Sequence, residues 1–461
     1  MIADKTRRLL TARLASEQAE QRLPSVAAGV GRSGELAWTA GRGRVDGSEP
    51  DADTQYRAGS ITKTFVAVEI MRLRDAGRLS LSDRLADHLT EPAVSEQVAA
   101  MTIGQLLSQS AGLRAETAGP WWERTPGGTL GELAAASLGT GAARFRPGRR
   151  FHYSNVGYAL LGAVLAGKHG RPWADVIAAE LLAPLEMTRT TTRPRAPHAT
   201  GYAVHPYADV LLAEPEHDAG AMAPAGQLWT TVTDLAKFGR FLAGDSAGLI
   251  APATLAEMRE PIVVSAGEGQ PWTAAYGLGL QLWNSGGVLR YGHTGSMPGF
   301  VAVLSITDAP GSDTVIAACN STTGFGHALA SDLLGILAAE EPYVAKEWRP
   351  APVDSGLLDV LGAWFWGPAP HTLRLAGELL VLSRDGRDDR GMRFRRENGS
   401  EGGWRGIDGY MAGEPLRMIT GPDGRVIALD IGSFIYSRQP YDPAAPIPDG
   451  VEPDSWRVPV R

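Results

Sequence analysis

Cysteine is nearly absent: Cys319 is the single thiol in 461 residues. One thiol forms neither an internal disulfide nor a thiolate metal cluster, and in the apolar run TVIAACN it reads as a small buried side chain. Long apolar runs are missing as well. With no stretch of about 18 apolar residues, no membrane span is expected. Positive charge is in deficit, with a net charge of −7, and no dense Lys/Arg block interleaved with aromatics occurs, which makes nucleic acid a poor partner. The N-terminal stretch MIADKTRRLLTARLASEQAEQRLPS carries charges throughout and has no apolar core of about 7 to 15 residues, as a secretory signal requires. It reads as an amphipathic helix, and a cytoplasmic location is the expectation. No histidine pair has metal-ligand spacing and no Gly-rich loop follows a strand in dinucleotide-binding form, so neither a metal nor a cofactor is expected. Lysine is the scarcest charged residue, confined to Lys5, Lys63, Lys168, Lys237 and Lys346 among 44 lysines and arginines.

The remaining composition, 44% hydrophobic and 21% charged, is that of a globular chain long enough for two or three domains, or for one large domain with an appendage. VAAGVGRSGELAWTAGRGRV alternates around a Ser-Gly turn and predicts a β-hairpin. Residues 60–76 place apolar side chains at helical spacing, which predicts a long buried helix. MTIGQLLSQSAGL opens with Thr102 and Gln105 in capping-box spacing, and SNVGYALLGAVLAGKHG and TTVTDLAKFGRFLAG predict further helices. Strands return at AAYGLGLQLW, VLRYGHTGSMPGFVAVLSIT and TVIAACN, before a closing helix at HALASDLLGILAAE. Strands at both ends with helices between them predict an α+β domain over residues 1–345, an antiparallel sheet from both chain ends flanked by helices. The Pro-rich residues 346–355 read as a linker. From 356 to 461 the short alternating runs divided by Gly and Asp-Gly turns predict an all-β domain, a meander or small barrel.

Three features carry chemistry. Ser60 and Lys63 are three apart on a helix, where their side chains can meet; a lysine with its ammonium disfavoured by burial can take the proton of a serine hydroxyl. The ordinary alternative is a helix cap with a solvated lysine, and it is weakened by the apolar surroundings of Lys63. Tyr153 and Asn155, in FHYSNVGY, are two apart and can face one cavity; Tyr153 beside a cationic lysine would have its pKa lowered, and Asn155 could position Lys63. The alternative is a packing tyrosine with Asn155 as a helix N-cap. His293, Thr294 and Gly295, in YGHTGSMPGF, lie in a strand-like run, where a glycine often marks close approach of another backbone or a ligand; the alternative is a bulge or a tight turn between strands. GDSAG, residues 244–248, matches the Gly-x-Ser-x-Gly pattern but follows a helix, so Ser246 is expected in a surface loop.

In chain order these features resemble the penicillin-binding protein and class C β-lactamase-like superfamily of active-site serine enzymes, whose branch includes esterases, DD-peptidases, D-aminopeptidases and stand-alone penicillin-binding-protein-type thioesterases. The likeness runs from about residue 20 to 340, with FRPGRRFHYSNVGYALLG, LLAPLEMTRTT, AGQLWTTVTDLAKF and YGHTGSMPGF standing as family blocks in family order; the C-terminal domain resembles a lipocalin-like domain. The resemblance implies a β-lactamase/transpeptidase-like fold with Ser60 as nucleophile, Lys63 and Tyr153 as general base and acid, and Asn155 orienting Lys63 and substrate. His293 would tune Tyr153 and contact substrate, Thr294 and Gly295 would bind substrate, and the backbone N–H groups of Ser60 and Ser296 would form the oxyanion hole. Two departures stand out. SQSAGL has Gln109 where the family usually has histidine, at a structural position. His293 replaces the lysine of penicillin-cleaving members, which removes a permanent cation suited to a substrate carboxylate.

The expected function is an acyl-serine hydrolase or acyltransferase acting on a small-molecule or peptidyl ester, thioester or D-residue amide. A thioesterase that releases or macrocyclises a nonribosomal peptide from a carrier protein is the alternative within that chemistry. A true β-lactamase, a DD-carboxypeptidase or an inactive binding module ranks lower.

Overall fold

The computed structural model describes residues 2–32, 35–89, 91–267, 269–285, 287–307, 315–326, 328–345, 347–350, 355–384, 391–397 and 403–440. The chain divides into two compact units, Met1–Ala345 and Lys346–Arg461.

The first unit is built on an eight-stranded antiparallel sheet. Strands β1 (Ser25–Arg32) and β2 (Glu35–Gly43) form the expected hairpin, although the Ser-Gly turn at 33–34 lies outside the described residues. The remaining strands come from the far end of the unit: β3 (Val263–Ser265), β4 (Ala274–Tyr276), β5 (Gln281–Ser285), β6 (Val288–Met297), β7 (Phe300–Thr307) and β8 (Val315–Thr322). In space the order is β2-β1-β8-β7-β6-β5-β4-β3, so β1 pairs with β8 across almost the whole unit, Val26 opposite Ser321 and Val30 opposite Ala317. The sheet is therefore closed by both chain ends, as expected.

Because successive strand residues point to opposite faces, each face takes its own helical cover. Helices α1 (Asp4–Glu20) and α5 (Leu329–Glu340) supply Leu10, Leu14, Leu329, Leu333 and Leu337, which pack on Val26, Ala28, Val30 and Cys319. Opposite them, α2 (Thr62–Asp75), α3 (Asn155–His169) and α4 (Val232–Leu242) build the larger core. Phe65 of α2 stacks on Phe238 of α4 with ring centroids 3.8 Å apart. Each such fully buried side chain contributes roughly 1.5–3 kcal/mol, and this packing fixes the helix that carries Lys63 and directly follows Ser60.

The second unit is a closed eight-stranded antiparallel barrel, from Gly362–Trp366 to Phe434–Ser437, joined where Phe365 pairs with Ser437. Among the described strands, closure leaves no unpaired edge. Its buried core includes Trp364, Leu373, Leu380, Phe394, Leu429 and Ile431.

Candidate active site

Tyr56–Arg57 pairs with Trp229–Thr230, and the chain then enters a single 3₁₀ turn, Gly59–Ile61, before α2 begins at Thr62. The expected continuous helix over 60–76 thus opens in a tighter turn, and Ser60 sits on it. Two glycines explain how a strand reaches this turn. Gly59 has φ +53°, and a Cβ there would lie 2.5 Å from Ser296 N; a Cβ on Gly295 would lie 1.8 Å from Ala58 O and 3.1 Å from Ser60 N. Without side chains at both positions, β6 lies directly against the turn, with Ser296 N close to Gly59 and Ser60 N close to Gly295.

Lys63, one turn along, is fully buried. Its Nζ lies 2.9 Å from Ser60 Oγ and donates to the Ala225 carbonyl at 2.7 Å. Burial lowers its pKa from 10.5 to about 7, while the carboxylates of Glu116 and Glu123 pull the other way. At neutral pH a large share of Lys63 is therefore an amine whose lone pair can accept the Ser60 proton.

Tyr153 is brought to the same place. Lys63 Nζ lies 5.0 Å from its ring centroid, and the Ser60 hydroxyl interacts with its phenol. The expected lowering of its pKa is not found. Burial raises it well above 10, outweighing the favourable Ser60 contact, and Tyr276, Glu116 and Glu123 push the same way. A motif shows the neighbouring lysine, whereas desolvation depends on the packed surroundings.

Asn155 departs from expectation too. Its Nδ2 donates to Glu116 Oε1 at 2.6 Å rather than holding Lys63, and its Oδ1 is buried with no hydrogen-bond partner among the described residues. Nor is it the cap of α3: Ser154 is, its Oγ accepting from Gly157 N at 3.0 Å. Gln109 holds this loop, its Oε1 accepting from Ser154 N at 2.7 Å, in keeping with a structural role.

On β6, His293 is buried and its Nδ1 lies 2.5 Å from the Thr294 carbonyl. A carbonyl only accepts, so Nδ1 carries the proton. In the neutral ring Nε2 is then an acceptor, and Tyr276 O–H donates to it at 2.9 Å. Burial first, and the nearby Lys63 second, lower the His293 pKa to about 3, which keeps the ring neutral. Its centroid lies 6.4 Å from that of Tyr153. Thr294 is fixed by Gln281, and Ser296 is exposed on the strand.

Glu116, Ala225, Tyr276 and Gln281 enter the site without having been singled out from the sequence. Ser246 lies between α4 and the Pro252–Met258 helix, in a loop as expected, but its side chain is buried rather than on the surface. Among the described residues, no group of three or more His, Cys, Asp or Glu side chains could hold a metal ion, and no helix is long and apolar enough to cross a membrane.

The family model described as Beta-lactamase matches residues 7–337, and a domain of unknown function matches residues 353–438. Penicillin-binding protein 4 of Amycolatopsis lactamdurans is 29% identical over 334 residues, 68% of this chain and 85% of that protein. The octameric penicillin-binding protein homologue from Pyrococcus abyssi shares the fold with a TM-score of 0.64 at 21% identity, over 93% of this chain and 99% of its own. The D-amino acid amidase from Ochrobactrum anthropi SV3 does so with a TM-score of 0.61 at 21% identity, over 73% of this chain and 99% of its own. The family match takes in the Ser60 turn, Tyr153 and His293 together, and the chain belongs to the β-lactamase family.

Proposed function

We propose that the chain is an active-site serine hydrolase or acyltransferase that works through an acyl-Ser60 intermediate on esters, thioesters or amides. The observation that carries this reading is the buried Lys63 amine, with its pKa lowered to about 7, 2.9 Å from Ser60 Oγ. Neutral Lys63 takes the Ser60 proton as Oγ bonds to the substrate carbonyl carbon. The N–H groups of Ser60 and Ser296 receive the oxyanion. Tyr153, kept protonated by burial, gives its proton to the leaving group and regains one from Lys63. Water or an amine then attacks the acyl-enzyme, Lys63 again accepting the proton, and Ser60 departs reprotonated.

Neutral His293 supplies no permanent cation for a carboxylate, which argues against a β-lactamase or a carboxypeptidase. D-residue amides enter as candidate substrates through the structural likeness to the D-amino acid amidase and to a D-stereospecific amidohydrolase from Streptomyces sp.. A peptide-releasing or cyclising thioesterase would use the same acyl-Ser60 and differ in the acyl donor and acceptor.

A panel of nitrophenyl esters, D- and L-aminoacyl anilides, peptidyl thioesters ending in a D-residue, and nitrocefin tests the proposal. The expected result is turnover of esters and D-aminoacyl anilides with a burst of one leaving group per Ser60. Preference for the peptidyl thioester with a cyclic product would establish the thioesterase instead, and nitrocefin as the fastest substrate would overturn the ranking.

A further inference from the structure

We propose that Gln281 determines which substrates this site accepts, by holding the hydroxyl proton of Thr294 so that the substrate meets a hydrogen-bond acceptor there. The proposal rests on the acyl-serine reading and names the polarity of the group its substrate carries.

Gln281 stands at the start of β5, where the β5–β6 pairing ends with Gln281 opposite Gly292. Two residues further along β6, its side chain takes over from the missing backbone partner. Oε1 accepts from Thr294 N at 2.9 Å and from Thr294 Oγ1 at 3.0 Å. A backbone N–H only donates, so the carboxamide atom facing it is the oxygen, which fixes the orientation of the amide. The Thr294 hydroxyl, set against that same oxygen, has to donate to it. A hydroxyl has one proton. Once it is given to Gln281, Thr294 Oγ1 offers only lone pairs to anything bound along β6.

The surrounding side chains repeat this polarity. His293 uses Nδ1–H on the Thr294 carbonyl, and its Nε2 accepts from Tyr276, so it has no donor left. Asn155 uses Nδ2 on Glu116, while Oδ1 has no partner among the described residues although only 8% of the residue is exposed. Glu116 accepts from Asn155 and, at 2.7 Å, from Trp122 Nε1. The Tyr153 hydroxyl and the N–H groups of Ser60 and Ser296 are donors that the reaction itself uses. A carboxylate laid along β6 would face the lone pairs of Thr294 and gain no hydrogen bond from its hydroxyl. An ammonium or amide N–H would complete the hydrogen bond. The site thus selects a substrate that presents an N–H donor to β6 and rejects one that presents a carboxylate.

The test uses the full chain and three aryl esters of one acid, whose leaving phenol carries an aminomethyl group, a hydrogen or a carboxylate, with fluorophosphonate labelling of Ser60 run in parallel. Wild type should show kcat/KM for the amine ester at least about tenfold above that for the carboxylate ester. Gln281→Leu, which releases the Thr294 hydroxyl to turn and donate, should bring the two within about threefold of each other while Ser60 still labels. Gln281→Glu, which still accepts from both Thr294 groups, should keep the amine preference. Thr294→Val provides an independent arm should Gln281→Leu fail to fold: it should lower kcat/KM for the amine ester more than that for the carboxylate ester, narrowing the ratio between them. A labelled Gln281→Leu with the wild-type ratio, a labelled Thr294→Val with the wild-type ratio, or a wild-type preference for the carboxylate ester overturns the proposal alone. Absence of a Ser60 adduct in wild type overturns the acyl-serine reading and this proposal with it.

Discussion

Replacing Lys63 by methionine should stabilise the protein and silence it together. Lys63 is fully buried and its pKa is lowered from 10.5 to about 7. Each pKa unit corresponds to about 1.4 kcal/mol, so at pH 7 and below the buried side chain costs about 5 kcal/mol of folding free energy relative to a solvated lysine. Methionine has a similar length and no charge to desolvate, but it leaves the Ala225 carbonyl without its donor, a loss of about 1–3 kcal/mol. The net expectation is a gain of about 2–4 kcal/mol near pH 6.5.

The pH dependence makes the argument specific. Between pH 7 and 10.5 the unfolded chain holds a proton on Lys63 that the native state has released, so the stability of the wild type rises with pH by up to about 1.4 kcal/mol per unit from this group. The methionine variant has no such contribution. Its advantage should be largest below pH 7 and should fade as the pH rises toward 10.5, above which both states of the wild type are neutral at this position. Groups away from Lys63 titrate alike in the two proteins and cancel in the difference, and His293, whose pKa Lys63 helps to lower, is kept neutral over this range chiefly by burial. Urea titrations at pH 6.5 and 9.5, read by hydrogen exchange of the α2 amides, report on the unit that contains the site. Acylation in the variant should fall by about 10²- to 10⁴-fold. A Lys63→Met protein no more stable than wild type at pH 6.5, or a difference that does not change with pH, would refute the assignment of Lys63 as a base made available by burial.

Two other outcomes follow from the same geometry. The rate of Ser60 acylation should rise with pH through about 7 and level off above it, because only neutral Lys63 can take the proton. In Glu116→Gln the rise should occur at lower pH, since Glu116 supports the ammonium form, and stopped-flow acylation over pH 5–9 reads both curves. Gly295→Ala should lower kcat by roughly 10²- to 10³-fold with little change in KM, because its Cβ meets Ala58 O at 1.8 Å and has to push Ser296 N away from the Ser60 turn. Wild-type kcat in that variant would refute the place given to the β6 edge.

Much of the architecture was legible because it is written in local pattern. Alternation marked β1 and β2, the Thr102–Gln105 capping box is present as read, and strands at both ends of the unit do close one sheet. Ser60 and Lys63 were legible because their spacing on a helix and the apolar residues around the lysine both bear on its pKa. The remainder of the site depends on contacts that no spacing records. Glu116 meets Asn155 across 39 positions, and Gln281 meets Thr294 across a hairpin. Tyr276 occurs in AAYGLGL with nothing to set it apart until His293 faces it. Tyr153 shows where motif reasoning misleads: the cation beside it predicted a lowered pKa, and burial reverses the direction.

The central claim is that Ser60 is a nucleophile activated by a buried amine. Intact-mass measurement after incubation with a fluorophosphonate probe tests it directly. The account predicts one adduct per chain in wild type, mapped to Ser60, and none in Ser60→Ala. No adduct on the wild type, or one that persists in Ser60→Ala, would contradict it.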